Sequence, residues 1–163
     1  MESVETGGAP RRSMSGPGGT AFLLAQLGAH AAQRFAERLT ELDLTPPQAG
    51  LLRAIADTPG RSQQALATRL GTQATRLVAL VDGLERRGVI ERRRNPDDRR
   101  LHALHLTESG KDLMRTLGRT ATAHGTALTA ALNEDERTTL HAMLTRIAEE
   151  QGLPWGVHGG YRH

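Results

Sequence analysis

Apolar positions recur along this chain in stripes, and the stripes change period where the chain is predicted to change structure. Leu24, Leu27, Ala31, Phe35, Leu39 and Leu42 step by three or four, which predicts a long helix from Thr20 with one apolar face. Thr45-Pro46 restarts the chain, with Thr as an N-cap and Pro in the first turn, where a missing N–H breaks no bond. Leu51, Leu52 and Ile55 give this second helix its buried side, and Thr58-Pro59-Gly60 stops it. Ser62 is placed to cap a short third helix, with Ala65, Leu66 and Leu70 inward and Gly71 at its end. Leu77, Leu80, Val81 and Leu84 follow the i, i+3, i+4, i+7 spacing of a fourth helix, which Gly88 closes.

After Gly88 the helical spacing lapses. Val89 to Arg94 predicts a short strand, Asn95-Pro96-Asp97-Asp98 is turn chemistry, and Leu101, Ala103, Leu104 and Leu106 mark a returning strand, although the alternation is imperfect. Helical spacing then resumes. Thr107 caps a fifth helix with Glu108 in its first turn, and Leu113, Leu117, Ala121, His124, Leu128 and Leu132 share one side. Asn133 with Glu136 forms a capping box for a sixth helix striped by Leu140, Met143, Leu144 and Ile147. Gly152-Leu153-Pro154 ends regular structure.

The expected fold is therefore mainly α with a small β-hairpin wing. Residues 46–106 read as a winged helix-turn-helix, flanked by helices over 20–43 and 107–150; 1–19 reads as a disordered tail and 151–163 as a Gly-rich C-terminal tail. The flanking stripes are longer than so small a centre can cover. An intertwined homodimer through the N- and C-terminal helices resolves this, because symmetric dimers are the commonest oligomers. Two-fold symmetry also suits a palindromic DNA site, one recognition helix to each half.

Composition narrows the class. The chain has 163 residues, within reach of one domain with a real core. It has no Cys, which excludes disulfides, thiolate metal ligands and thiol redox sensing within the chain, and fits a reducing cytosol. No apolar run of about 18 residues appears, so no membrane-spanning helix is expected, and the first residues lack the apolar core of a secretory signal.

The net charge of +3 matters less than its distribution. Arg86, Arg87, Arg92, Arg93, Arg94, Arg99 and Arg100 fall within one short strip, with Glu91, Asp97 and Asp98 among them. Such a cluster reads as a footprint for phosphate, or alternatively as a solvated, salt-bridged surface. There is no Gly-rich phosphate loop, nucleophile motif or carboxylate cluster, so an enzyme is not expected.

At this point the chain resembles the MarR family of bacterial transcription regulators, over roughly residues 20–150. The resemblance rests on Leu66-Ala67-Thr68-Arg69-Leu70-Gly71, on Leu80-Val81-Asp82-Gly83-Leu84-Glu85-Arg86-Arg87-Gly88-Val89-Ile90, and on Asp98-Arg99-Arg100 ahead of Leu104-His105-Leu106-Thr107-Glu108-Ser109-Gly110. It implies a DNA-binding regulator. The chain departs from the family pattern at Thr72, where an apolar residue is common, and at Ala79, where a polar residue is common.

The fourth helix is the expected recognition helix, starting near Gln73, with Gln73, Ala74, Thr75, Arg76 and Ala79 outward. Arg76 suits the two acceptors of a guanine edge or a phosphate, while Gln73 and Thr75 suit either a base or a phosphate. Ala79 could meet a thymine methyl. Ser62 and Gln63 begin a helix whose N-terminal N–H groups can receive a phosphate; Ser62 is equally a plain N-cap. In the wing, the resemblance implies that Asp98 orders an Arg and that Arg100 enters the minor groove, with Arg99 and Arg94 near phosphates. Asp97 reads as a turn residue only.

The resemblance further implies a small-molecule effector, phenolic or anionic, with His30, Arg34, Arg38 and Arg53 as candidate contacts; salt bridges are the other reading of each. No cofactor is expected. The seven His show no tight ligand spacing, so a metal is not assigned, although His30, His124 and His141 would be the first to examine. The function expected is a sequence-specific repressor on a pseudopalindromic duplex. The alternatives are a winged-helix module that docks protein, or a metal-responsive regulator.

Overall fold

In the computed structural model, residues 18–94 and 102–153 are described. Both tails, apart from their inner edges, and the hairpin tip with Asn95, Pro96, Asp97, Asp98, Arg99, Arg100 and Leu101 lie outside the described residues. The chain separates into two compact units, one ending at Arg34 and one beginning at Phe35, each considered by itself. Helix α1, Thr20–Thr40, runs across that boundary.

In the first unit the predicted stripe is present but uncovered. Leu24 and Leu27 are 40% and 53% exposed, and Phe22 beside them is 51% exposed.

The second unit holds the rest: the end of α1, then α2 (Pro46–Asp57), α3 (Gln63–Leu70), α4 (Ala74–Arg86), β1 (Ile90–Arg94), β2 (His102–Leu106), α5 (Glu108–Leu128) and α6 (Glu134–Glu150). Its core joins Leu39 and Leu44, Leu51, Leu52 and Ile55 of α2, Leu66 and Leu70 of α3, Leu77, Val81 and Leu84 of α4, Val89, Ile90 and Leu104 of the hairpin, and Leu117 of α5. Burying a side chain of this kind stabilises by about 1.5–3 kcal/mol. Helix α6 contributes no buried residue.

The helix boundaries follow local chemistry. Thr45 caps α2 through a reciprocal pair with Gln48, a capping box in which the partner is an amide. Ser62 Oγ accepts from Ala65 N at 3.2 Å, Thr107 Oγ1 from Gly110 N at 3.1 Å, and Asn133 Oδ1 from Glu136 N at 2.9 Å. Glu108, fully exposed in the first turn of α5, is held below the usual carboxylate range by its hydrogen bond to Lys111 and by that residue's charge.

The hairpin strands pair antiparallel, from Ile90 opposite Leu106 to Arg94 opposite His102. One pairing was not expected. Gly60 N donates to Leu104 O and Leu104 N donates to Arg61 O, both at 3.0 Å, and Ser62 bridges Ala103. The residues just before α3 thus run beside β2 and tie the helix-turn-helix to the hairpin.

A second junction joins α5 to the end of α4. Thr107 N donates to Val89 O, while the hydroxyls of Thr107 and Ser109 both donate to Gly88 O at 2.6 and 2.7 Å. Gly110 makes the approach possible. A Cβ there would lie 1.9 Å from Val89 O, inside any van der Waals contact. The glycine of the restart after β2 is therefore a packing requirement.

Candidate nucleic-acid interface

Helices α3 and α4 are joined by a tight left-handed turn. Gly71 has φ 61°, which a glycine adopts without steric cost, and its N–H reaches the carbonyls of Ala67 and Thr68. Thr72 N adds a bond to Ala67 O at 3.1 Å. Gln73 then occupies the N-cap of α4 in extended conformation, and its side chain makes no capping bond. The first-turn donors of α4 consequently have no partner from their own cap, and the positive end of the helix dipole faces outward there.

Along α4, Leu77, Val81 and Leu84 are buried and Leu80 is half-buried. Gln73, Ala74, Thr75, Arg76 and Ala79 are exposed, on the side the spacing assigned to them. Val78 is also exposed, at 42%; sequence reasoning did not single it out, although it stands outside the inward set of Leu77, Leu80, Val81 and Leu84. Ser62 is half-buried at the start of α3. Gln63 is half-buried too, and its Nε2 is enclosed without a hydrogen-bond partner among the described residues.

The arginine strip divides into groups with different work. Arg92, on β1, donates to both Asp82 and Glu85 of α4, with its side chain 22% exposed. The Asp82 hydrogen bond, followed by the charges of Glu85 and Asp82, outweighs partial burial and raises the guanidinium pKa above its ordinary value. Arg87 donates to the backbone carbonyls of Asp43 and Leu42, the latter at 3.1 Å. Asp43 is left-handed, with φ 52°, so Arg87 secures a turn that a non-glycine residue adopts reluctantly. Arg93 pairs with Glu91. Arg86 and Arg94 are exposed at the end of α4 and on β1. Arg92 and Arg87 therefore hold α4 to the hairpin and to the turn between α1 and α2. Counting charges in the sequence could not separate these roles; the three-residue spacing of Asp82 and Glu85 on one helix face was the available signal.

Asp98, Arg99 and Arg100 lie outside the described residues. Among the expected effector contacts, His30 and Arg34 belong to the first unit, and Arg38 and Arg53 to the second. Arg53 pairs with Asp57 at 3.0 Å. A cleft of about 470 Å³ opens between the end of α2, the hairpin and the start of α5, bounded by Ile55, Pro59, Arg93, His105, Lys111 and Met114. It includes none of the four expected contacts, and its cations are engaged locally: Arg93 with Glu91, Lys111 with Glu108. His124 lies against Phe35 with ring centroids 5.3 Å apart. Among the described residues no cluster of three or more His, Asp or Glu forms a metal-binding group, and no helix is long and apolar enough to cross a membrane.

A capped short helix, a glycine turn, an outward-facing second helix and a basic hairpin stitched to both define a winged helix-turn-helix of the DNA-binding class. The family model described as MarR family matches residues 42–101, which take in α2, α3, the glycine turn, α4 and β1 and stop just before β2. A candidate transcriptional regulatory protein for the hcr operon of Thauera aromatica is 34% identical over 118 residues, covering 72% of this chain and 71% of that one. The transcriptional repressor CouR, solved bound to a 23-mer DNA duplex, superposes with a TM-score of 0.68 at 35% identity, covering 79% of this chain and 92% of that one. The wild-type apo form of MarR from E. coli superposes with a TM-score of 0.71 at 25% identity, covering 78% and 95%. The chain belongs to the MarR family of DNA-binding transcription regulators.

Proposed function

We propose that this protein is a homodimeric, effector-responsive repressor that occupies a pseudopalindromic duplex operator, in a bacterial cytoplasm at the nucleoid. The observation that carries this reading is the outward N-terminal face of α4, uncapped by its own side chain and set beside a basic hairpin. In this reading α4 enters the major groove. Arg76 reads a base or holds a phosphate, and Gln73, Ala74, Thr75 and Ala79 line the same approach. Ser62 and Gln63 bring the N-terminus of α3 to a phosphate. Arg94, with Asp98, Arg99 and Arg100, serves the wing. The likeness to a repressor solved on duplex DNA supports this assignment.

Dimerisation is supported by apolar surface left uncovered on both outer regions: Phe22 and Leu27 in α1, and Met143 and Ile147 in α6. Effector binding would favour a spacing of the two recognition helices that no longer matches the operator, by population shift. His30, Arg34, Arg38 and Arg53 are the contacts to vary first, each singly. The reading assigns no catalytic step and no cofactor to the chain.

The experiment is a selection of bound sequences from random duplex DNA, with the winner's affinity followed against salt. A palindromic winner with a steep salt slope is expected. Absence of any enriched sequence, with weak salt dependence, would favour a protein partner for the winged helix.

A further inference from the structure

We propose that Thr75, Val78 and Ala79 form a methyl-reading strip that selects thymine in each half of the operator. This rests on the placement of α4 in the major groove argued above. The three residues stand at i, i+3 and i+4, so their side chains share one helix face, opposite buried Leu77, Val81 and Leu84. All three are exposed, and Val78 leaves 42% of its surface in water. The face carries methyl groups and one hydroxyl. None of these three side chains can make a bidentate hydrogen bond to a base.

The next residue along that face is Asp82, whose carboxylate would repel a phosphate backbone. Arg92 holds it from the hairpin and offsets its charge. Arg86 follows, exposed, about two turns beyond Ala79. Arg92 is shared with Glu85, so with Arg86 the surface beyond the methyl strip is close to neutral. In the major groove the C5 methyl of thymine is the apolar group offered to a protein, and cytosine has only hydrogen at that carbon. An apolar strip without bidentate donors can distinguish bases there chiefly by meeting that methyl. Sequence preference then comes from two chemistries on one helix: the methyl strip, and the guanidinium of Arg76 beside it.

The test uses the full chain and the operator obtained by selection. Each thymine in a half-site is replaced singly by deoxyuridine, which removes the methyl and keeps every hydrogen-bonding group. Affinity is measured at fixed salt for the natural chain and for Val78→Ala, Thr75→Ser and Ala79→Gly. We expect one or more thymines per half-site at which the natural chain loses about fourfold affinity on loss of the methyl. At one of them Val78→Ala should bind thymine and uracil alike, so that the two changes are not additive. If uracil replaces thymine everywhere at no cost, while Arg76→Ala still weakens the specific complex, the methyl strip is refuted and the groove reading stands. A thymine preference retained in all three variants refutes the assignment to these residues. Failure to select any operator overturns the groove reading, and the strip with it.

Discussion

Helices α2 and α6 are similar in kind and opposite in condition. Both are capped by a reciprocal box, Thr45 with Gln48 and Asn133 with Glu136, and both carry a leucine-rich stripe at helical spacing. Yet Ala49, Leu51, Leu52, Ala54 and Ile55 of α2 are buried, whereas α6 buries none and leaves Met143, Leu144 and Ile147 at 54%, 40% and 46% exposure. Local signals thus specify a helix equally well in both places. What differs is whether the chain itself supplies the opposing surface. The centre of the molecule is packed within one copy; among the described residues nothing covers the apolar stripe of α6.

Substitutions can sharpen this contrast, and the largest effect belongs to the centre. Gly110→Ala pushes a Cβ into the Val89 carbonyl, so the joint between α5 and the end of α4 cannot close. We expect a loss of more than about 4 kcal/mol, an exceptional value for one methyl, read as the absence of a cooperative urea transition. A core leucine comes next. Leu66→Ala should cost about 2–5 kcal/mol in urea unfolding, because Leu66 is wholly buried. Leu144→Ala, at matched chemistry on α6, should cost under about 0.5 kcal/mol at dilutions where single copies predominate. Equal losses for the two would mean that α6 is covered within its own chain.

Ile147→Glu tests the missing surface directly. It should convert a dimer into a monomer in sedimentation equilibrium while leaving the circular dichroism of the folded chain unchanged. The smallest effect separates two arginines of the hairpin. Arg94→Gln should reduce the slope of log affinity against log salt by about 0.9, the signature of one lost phosphate contact. Arg92→Gln should weaken binding with that slope unchanged, because its partners are Asp82 and Glu85.

Much of this was legible in the sequence, and the boundary of legibility is physical. Ser62, Thr107 and the Asn133–Glu136 pair announced their helices because capping acts over three residues, within the reach of a local pattern. The inward set on α4 followed from periodicity alone. The pairing of Gly60 and Arg61 with Leu104 did not, since it joins backbone groups distant in sequence and needs no particular side chain. The work of Arg87 and Arg92 was hidden for a related reason. A count of charges registers seven like residues, while their partners are set by which face of α4 the hairpin lies along. Val78 was left unassigned, although the periodicity that turns Leu77, Val81 and Leu84 inward already places it on the opposite face.

The backbone bonds at Gly60 and Arg61 make the root of the hairpin and the entrance to α3 a single rigid part. Arg92 extends that part to α4. A joint of this sort works as a jig: it sets where each tool is held, independently of which tool is mounted. The outward residues of α4 can then be exchanged to read another half-site without altering the geometry in which they are presented. Operator sequence and operator spacing become separately adjustable, the first by the face of one helix and the second by the way two copies meet.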